Sequence, residues 1–223
     1  MEILEIKLNT DDIISTEGFY TNILEFKLIK KSEKSISFLV GNSILSFIKS
    51  ENLQPKYHFA FNIPNNKLEE AINWISKKLN LIKIDNNTSV ADFESWNAKA
   101  IYFYDNNENI LEFIARFDLE SLIENQFDTS SILSISEIGV VTNEPLNLSK
   151  KISENYNLNL FEKGVQSVDF ASLGDDNGLI ILVKPNRKWY PTNQKAEKHF
   201  VEIKLISNGL TNEIIINDEN SCS

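Results

Sequence analysis

The sequence predicts an α+β protein built from tandem β-α-β-β-β units. Short segments with an apolar residue at every second position indicate strands, and segments with apolar residues three and four positions apart indicate helices. The order of these segments recurs along the chain. The letters recur as well, since KSISF at 34–38 matches KAIYF at 99–103 and ILSFI at 44–48 matches ILEFI at 110–114.

The first unit begins with a strand at 1–10, where polar and apolar residues alternate. A helix is predicted at 16–26 because Phe19, Ile23 and Phe26 share one face at helical spacing. Polar turns separate the three strands that complete the unit, at 27–30, 35–40 and 44–49.

The second unit begins with a strand at 57–63, whose alternation puts His58, Ala60 and Asn62 on one face. An amphipathic helix is predicted to follow it at 67–79. The strands that complete this unit are predicted at 81–84, 99–104 and 109–115.

Glu112 is a carboxylate in the middle of an otherwise apolar strand face, with Ile110 and Ile114 on either side of it. Burying an unpaired carboxylate is costly, so such a residue indicates a nearby cation, a metal ion or a water-filled cavity. We therefore expect the functional site to include Glu112.

The domain organisation is predicted from this repeat. Residues 1–118 form a complete two-unit domain, and the acidic segment 119–131 is a linker. A third unit at 132–206 forms a partial second domain that packs on the first or supports a homodimer, and 207–223 is a terminal strand or tail. The elements of the third unit are predicted at 137–142, 146–158, 160–163, 167–173, 179–184 and 199–206.

Composition excludes several classes of function. A net charge of −10 without a basic stripe argues against a nucleic-acid partner. The one cysteine, Cys222, excludes an internal disulfide and a Cys-based zinc site, and it suits a reducing compartment. No apolar run could span a bilayer, and the N-terminal segment predicts a strand rather than a signal peptide. The simplest prediction is a cytoplasmic protein without a membrane partner.

Three segments resemble the vicinal oxygen chelate superfamily: GFYTNILEF at 18–26, HFAFNIP at 58–64 and the hairpin at 105–112. This superfamily includes glyoxalase I, the extradiol ring-cleaving dioxygenases, and the fosfomycin and bleomycin resistance proteins. The resemblance implies that two units curl a mixed sheet into a cup with the helices outside. It also implies that residues from the first and last strands of each unit hold a metal ion on the concave face, and these positions are Glu5, Ser46, His58 and Glu112.

The site predicted from this resemblance is a divalent metal ion held by Glu5, His58 and Glu112. One imidazole and two carboxylates suit iron, manganese, nickel or zinc. Glu5 and Glu112 are then the candidate catalytic residues, with Glu5 able to serve as a base. In the alternative, Lys7 reaches Glu112 and neutralises it, and His58 lies in a metal-free binding cavity.

The remaining candidates lie outside this set. Glu137 and His199 occupy first-strand positions of the third unit but are expected at the surface, because the strand at 179–184 has no counterpart of Glu112. Trp96 is expected to edge the cup. Two interpretations stay open for a further group, which could form a wall for a ligand or an aromatic corner packed on the sheet: Arg187, Trp189 and Tyr190.

The sequence therefore predicts a glyoxalase- or dioxygenase-like enzyme that depends on a divalent metal and acts on a small substrate with vicinal oxygens. A metal-free protein that binds a small molecule, as bleomycin resistance proteins do, is the alternative. A degenerate structural or interaction unit is the third hypothesis. All three share one fold, so the site must separate them.

Overall fold

The computed structural model describes residues 1–51 and 53–217, which form one open mixed sheet of 13 strands with three α-helices. This architecture confirms the predicted α+β class. No helix in this part of the chain has the length and apolar character needed to cross a bilayer. The predicted tail from 218 onward, with Cys222, lies outside the described residues.

Units 1 and 2 share one order of elements, unit 3 has one strand fewer after its helix, and a strand pair follows them. Unit 1 comprises β1 (Glu2–Thr10), α1 (Ile13–Asn22), β2 (Lys27–Lys31), β3 (Ser35–Val40) and β4 (Ser43–Lys49). Unit 2 comprises β5 (His58–Ile63), α2 (Leu68–Ile75), β6 (Val90–Phe93), β7 (Ala98–Tyr104) and β8 (Ile110–Arg116). Unit 3 comprises β9 (Ser134–Val141), α3 (Pro145–Tyr156), β10 (Phe170–Asp175) and β11 (Gly178–Val183), and the final pair is β12 (Val201–Ser207) and β13 (Leu210–Ile216).

Several elements differ from the sequence prediction, including the strand predicted at 160–163, where Leu160 forms only an isolated bridge with Leu173. Helix α1 begins earlier than predicted because the Asp12 side chain accepts hydrogen bonds from the backbone N–H groups of Ile14 and Ser15, both at 3.0 Å. The strand predicted at 81–84 is irregular backbone, and β6 occupies the edge of unit 2 instead. The segment at 90–93 forms the edge strand because it pairs with β7, whereas 81–84 does not form a ladder with a neighbouring strand.

Within each unit the last strand runs parallel to the first, and the register is the same in all three. Glu5 pairs with Ile44 in unit 1, His58 pairs with Ile110 in unit 2, and Glu137 pairs with Leu179 in unit 3. Glu5, His58 and Glu137 therefore occupy equivalent positions. The equivalent last-strand positions, two residues further along, are Ser46, Glu112 and Ile181.

The pairing between units differs from the expected one. We expected units 1 and 2 to form one cup, but β5 of unit 2 runs antiparallel to β9 of unit 3, and β1 of unit 1 runs antiparallel to β12. In the described residues β9 lies between β1 and β5 in the sheet, and it meets β1 only at the pair Ile3 and Ile135. The first strand of each unit has an edge that must be paired, so the three first strands and β12 can compete for the same partners.

The two faces of the sheet carry separate apolar clusters. The larger cluster contains residues of all three α-helices together with Phe59 and Phe61, so the helices cover this face. The smaller cluster lies on the other face and includes Ala60, Tyr102 and Trp189. The alternation predicted along β5 is therefore observed, and His58 lies on the face that no helix covers.

Gly41 lies in the turn between β3 and β4 and packs against Leu133, which directly precedes β9. This contact between unit 1 and β9 can be tested by substitution. The φ of Gly41 is +55°, and a Cβ added to this glycine would lie 2.1 Å from the Leu133 carbonyl oxygen. Gly209 also has a positive φ, +75°, but nothing lies within 4 Å of an added Cβ. We expect Gly209→Ala to cost about 1 kcal/mol of unfolding free energy from backbone strain. Gly41→Ala should cost about 1–3 kcal/mol more because of the close contact.

Urea unfolding of the two variants beside the unchanged protein measures this difference. Both substitutions strain the backbone alike, so only Gly41→Ala also disturbs the contact with β9. Equal losses in the two variants would contradict the tight contact between this turn and Leu133.

Candidate metal centre and ligand cavity

His58, Glu112 and Glu137 converge on the face of the sheet that no helix covers. One ligand atom from each lies within 4.8 Å of those of the other two, and the residues are 7%, 2% and 4% exposed. The strand register explains the convergence, because Ala60 of β5 pairs with Glu112 on one side and with Glu137 on the other. The Ala60 methyl group leaves room for both carboxyl groups above it.

His58 is held in the tautomer that a metal ligand requires. Its Nδ1 lies 3.1 Å from the Ile110 carbonyl oxygen, and since that oxygen can only accept, Nδ1 donates and Nε2 carries the lone pair. Burial lowers the pKa of His58 to about 4, so the ring is neutral at pH 7. Nε2 lies 3.5 Å from Oε2 of Glu112. The lone pair therefore faces a carboxyl group.

Burial raises the pKa of Glu112 well above its usual range, and the neighbouring charge of Glu137 raises it further. Arg116 and the hydrogen bond donated by the Tyr102 hydroxyl act in the opposite direction and are weaker. The net effect favours the protonated form of Glu112 when no metal ion is bound. If Glu112 lost this proton, its carboxylate would be a buried charge without a fixed cation of its own.

The Arg116 side chain supplies a positive charge to the site. Its side chain is fully buried and forms an ion pair with Glu137, with a second acidic neighbour, Asp176 Oδ1, at 3.4 Å. Its Nε donates to Ser136 Oγ at 3.3 Å, and its Cζ lies 5.7 Å from the centre of the Trp96 ring. Burial raises the pKa of Glu137 above its usual range, and the ion pair with Arg116 opposes that rise and favours the ionised carboxylate.

A cavity of about 210 Å³ opens onto His58, Glu112 and Glu137. Trp189 lies with its ring centre 5.2 Å from that of His58, and Gly139 permits this because a Cβ there would lie 2.6 Å from the Trp189 ring. The other walls are mainly aromatic and include two cations at the outer part: Phe93, Trp96, Tyr102, Phe170, Ile181, Val183, Arg187, Lys188 and Tyr190. The cavity has the composition of a small-molecule site.

Two solved structures have a similar fold. A candidate dioxygenase from Bacillus subtilis superposes with a TM-score of 0.58 at 14% sequence identity, covering 82% of this chain and 63% of that protein. A single-residue variant of glyoxalase I from Zea mays superposes with a TM-score of 0.56 at 17% identity, covering 87% of this chain and 70% of that protein. This chain has the vicinal oxygen chelate fold.

At these identities the superpositions establish the fold and not the reaction. The chain spans less than two thirds of the length of the Bacillus subtilis protein. No family model matches the chain, and no curated protein matches it in sequence. The vicinal oxygen chelate fold predicted from the resemblance is confirmed.

Glu5, the third predicted ligand, does not join His58 and Glu112. It accepts a hydrogen bond from Ser46 Oγ at 2.6 Å within unit 1, and β9 separates its strand from β5 in the sheet. Glu137 occupies the equivalent position of unit 3 and completes the group. The correction follows from the pairing, because β5 of unit 2 pairs with β9 of unit 3 and not with β1 of unit 1.

Lys7 does not neutralise Glu112, because it forms an ion pair with Glu202 across β1 and β12. A protein cation does serve the site, and it is Arg116. The sequence carried a signal for it, since Arg116 lies four positions after Glu112 on the same strand and so on the same face. The end of the strand was predicted one residue too early, at 115, which left Arg116 outside it.

The expectation that Glu137 is exposed is wrong. β9 is a central strand with β5 on one side and β11 on the other, which buries Glu137 to 4% exposure. His199 lies before β12, outside the cavity, with its ring centre 5.5 Å from that of Tyr57 and its side chain 14% exposed. The fourth ligand position of the site belongs to Ile181, which offers no donor atom.

Proposed function

We propose that this chain binds one divalent metal ion through His58, Glu112 and Glu137 and acts on a small oxygen-bearing ligand in the aromatic cavity. The observation that supports this proposal is the unprotonated Nε2 of His58, which faces two buried carboxyl groups with one ligand atom of each residue within 4.8 Å of the others. Two acceptors that face each other in a buried site need a cation or a proton between them. Iron, manganese, nickel and zinc all suit such a donor set.

The charges of the residues fit a divalent ion. The neutral His58 ring, two carboxylates and the Arg116 guanidinium sum to −1, so a divalent ion leaves the site with one positive charge. Arg116 binds Glu137 and leaves Glu112 without a fixed cation of its own. The ion would therefore replace the proton on Glu112 without disturbing the buried ion pair.

The residues around the ion have distinct roles in this proposal. A bound divalent ion would supply Lewis acidity to a ligand oxygen. Ile181 leaves one side of the site without a protein donor, so a ligand can approach there. Glu112 lines the cavity beside His58 and would take a proton from a ligand and return it. The Tyr102 hydroxyl orients Glu112, and Trp189 shields His58 from water.

The donor set and the cavity support a glyoxalase- or dioxygenase-like activity on vicinal oxygens as the proposed function. Which of the two reactions applies depends on the metal and the ligand. A cytoplasmic location, a homodimer and the lack of a nucleic-acid partner stay predictions from the sequence.

A metal-free binding protein is the second candidate, and one observation favours it. The Arg116 guanidinium already satisfies Glu137, and a proton already satisfies Glu112. The group therefore has no uncompensated charge without a metal ion. In that case the same cavity would hold a small molecule without catalysis.

A titration with Zn²⁺ and Mn²⁺ after treatment with a chelator tests the proposal. We expect the protein to bind one ion per chain and Glu137→Gln to weaken binding at least about tenfold. Glu5→Gln is the matched control, since Glu5 occupies the equivalent position of unit 1, and it should bind the ion as the unchanged protein does. Saturable ligand binding without any metal binding would favour the metal-free candidate instead.

A further inference from the structure

The loop between β11 and β12 brings positive charge to the outer part of the cavity. Three cations lie at its start: Lys184, Arg187 and Lys188. The last two line the cavity, while the chain as a whole has a net charge of −10. Cations concentrated at one cavity of an acidic protein indicate what that cavity attracts.

Arg187 differs from the other two cations in having no polar partner for its side chain. Lys184 Nζ lies 2.8 Å from Asp169 Oδ1, and Lys188 Nζ donates to Asn193 Oδ1 at 2.7 Å. Across residues 1–51 and 53–217, no ion pair or side-chain hydrogen bond involves the Arg187 guanidinium. Its hydrogen-bonding capacity is therefore free for a ligand.

The position of Arg187 is fixed by the fold. Its backbone N–H donates to the Lys184 carbonyl at 3.3 Å, and its carbonyl accepts from the Ala196 N–H at 2.8 Å. Its Cζ lies 5.0 Å from the centre of the Phe170 ring, which also lines the cavity. A guanidinium held over an aromatic ring keeps its N–H edges available for a planar anion.

The other nearby cations, Arg116 and the half-buried Lys163, already have acidic partners. Arg116 is paired with Glu137 and Asp176, and Lys163 with Asp118 and Asp176. Arg187 is exposed whereas His58, Glu112 and Glu137 are buried, so the two groups lie at the outer and inner parts of one cavity. A ligand that fills the cavity would therefore meet the metal-binding group at one end and Arg187 at the other.

We propose that Arg187 forms an anion subsite, and that the ligand carries a carboxylate at the end opposite its metal-binding oxygens. The aromatic side chains between the two ends would pack against a flat or apolar body. The inference rests on the proposed function, since it assumes that the cavity is the ligand site. A carboxylate matches the fork of a guanidinium through two parallel hydrogen bonds.

Calorimetric titration with a matched pair of probes tests this subsite. The probes are 3,4-dihydroxybenzoate and 3,4-dihydroxybenzamide, which share vicinal oxygens and differ in charge at the opposite end. Each is titrated into zinc-loaded and metal-free protein at low salt. We expect the carboxylate to bind about tenfold more tightly than the amide, as for one charge-assisted hydrogen bond. Added salt should reduce this preference.

The preference should disappear in Arg187→Gln, with amide binding and zinc affinity unchanged. Lys184→Gln is the matched control because it removes a charge from the same loop at a residue that does not line the cavity, and it should keep the preference. Arg187→Lys should restore part of it. A preference that survives in Arg187→Gln, or that is missing from the unchanged protein, would overturn the inference.

The outcomes also separate this inference from the proposed function. If zinc does not bind but the metal-free protein prefers the carboxylate in an Arg187-dependent way, the metal site fails and the anion subsite stands. If zinc binds through His58, Glu112 and Glu137 but neither probe binds, the metal site stands and the subsite fails.

Discussion

Replacing Arg116 with methionine should lower the unfolding free energy by about 3–5 kcal/mol, the usual cost of removing one partner from a buried ion pair. Arg116 is fully buried and serves Glu137 and Asp176 together. Its removal leaves the buried Glu137 without its cation, while Asp176 keeps Lys163 as a partner, and methionine fills only part of the volume. Urea unfolding at pH 7 after removal of metal measures the loss.

Lys99→Met is the matched control for this prediction. Lys99 pairs with Asp92 at 3.0 Å, but the two side chains are 43% and 52% exposed, so the pair is worth at most about 1 kcal/mol. Zinc should restore part of the stability of Arg116→Met, because the ion supplies the missing positive charge and binds only the folded state. A loss in Arg116→Met no larger than in Lys99→Met would contradict the role given to this cation.

Glu112→Gln should weaken divalent metal binding at least about 100-fold, since loss of a ligand costs no less than loss of a residue that orients one. Glutamine has the shape of the protonated acid that occupies this position in the metal-free protein. The variant should therefore fold with nearly unchanged stability while losing the ion. Titration calorimetry with zinc measures the affinity, and unfolding in chelator measures the stability.

The pH dependence of the unchanged protein provides a second readout. Because the pKa of Glu112 is raised, a proton competes with the ion for this carboxylate. The affinity for zinc should therefore rise with pH until the pH passes that pKa, and then level off. Glu202→Gln is a suitable control, because Glu202 is partly buried beside Lys7 and outside the site. Unchanged zinc affinity in Glu112→Gln would refute the metal centre as described.

Much of the fold was predictable because its signals are local. Alternation along β5 separates His58 from Phe59, and a residue's face is set by its neighbours in the same strand. The matching letters around Ser46 and Glu112 identified equivalent positions of two units before any pairing was known. Glu112 stood out for a physical reason as well, since an acid inside an apolar strand must have a partner.

The assembly of the site was less predictable because it depends on pairing between distant segments. Glu5 and Glu137 occupy equivalent positions, and only the choice of β9 as the partner of β5 decides between them. The Trp189 wall likewise depends on a close contact with Gly139, 50 residues earlier in the chain.

The sequence by itself determined the repeated unit, the face of each strand and the positions that could hold a ligand atom, because these follow from interactions within a few residues. The tertiary structure alone decided that Glu137 joins His58 and Glu112, and that Arg116 is the cation beside them. The physical reason is that several equivalent strand edges can each pair with β5. The free energy of the whole sheet, and not any local pattern, selects among them.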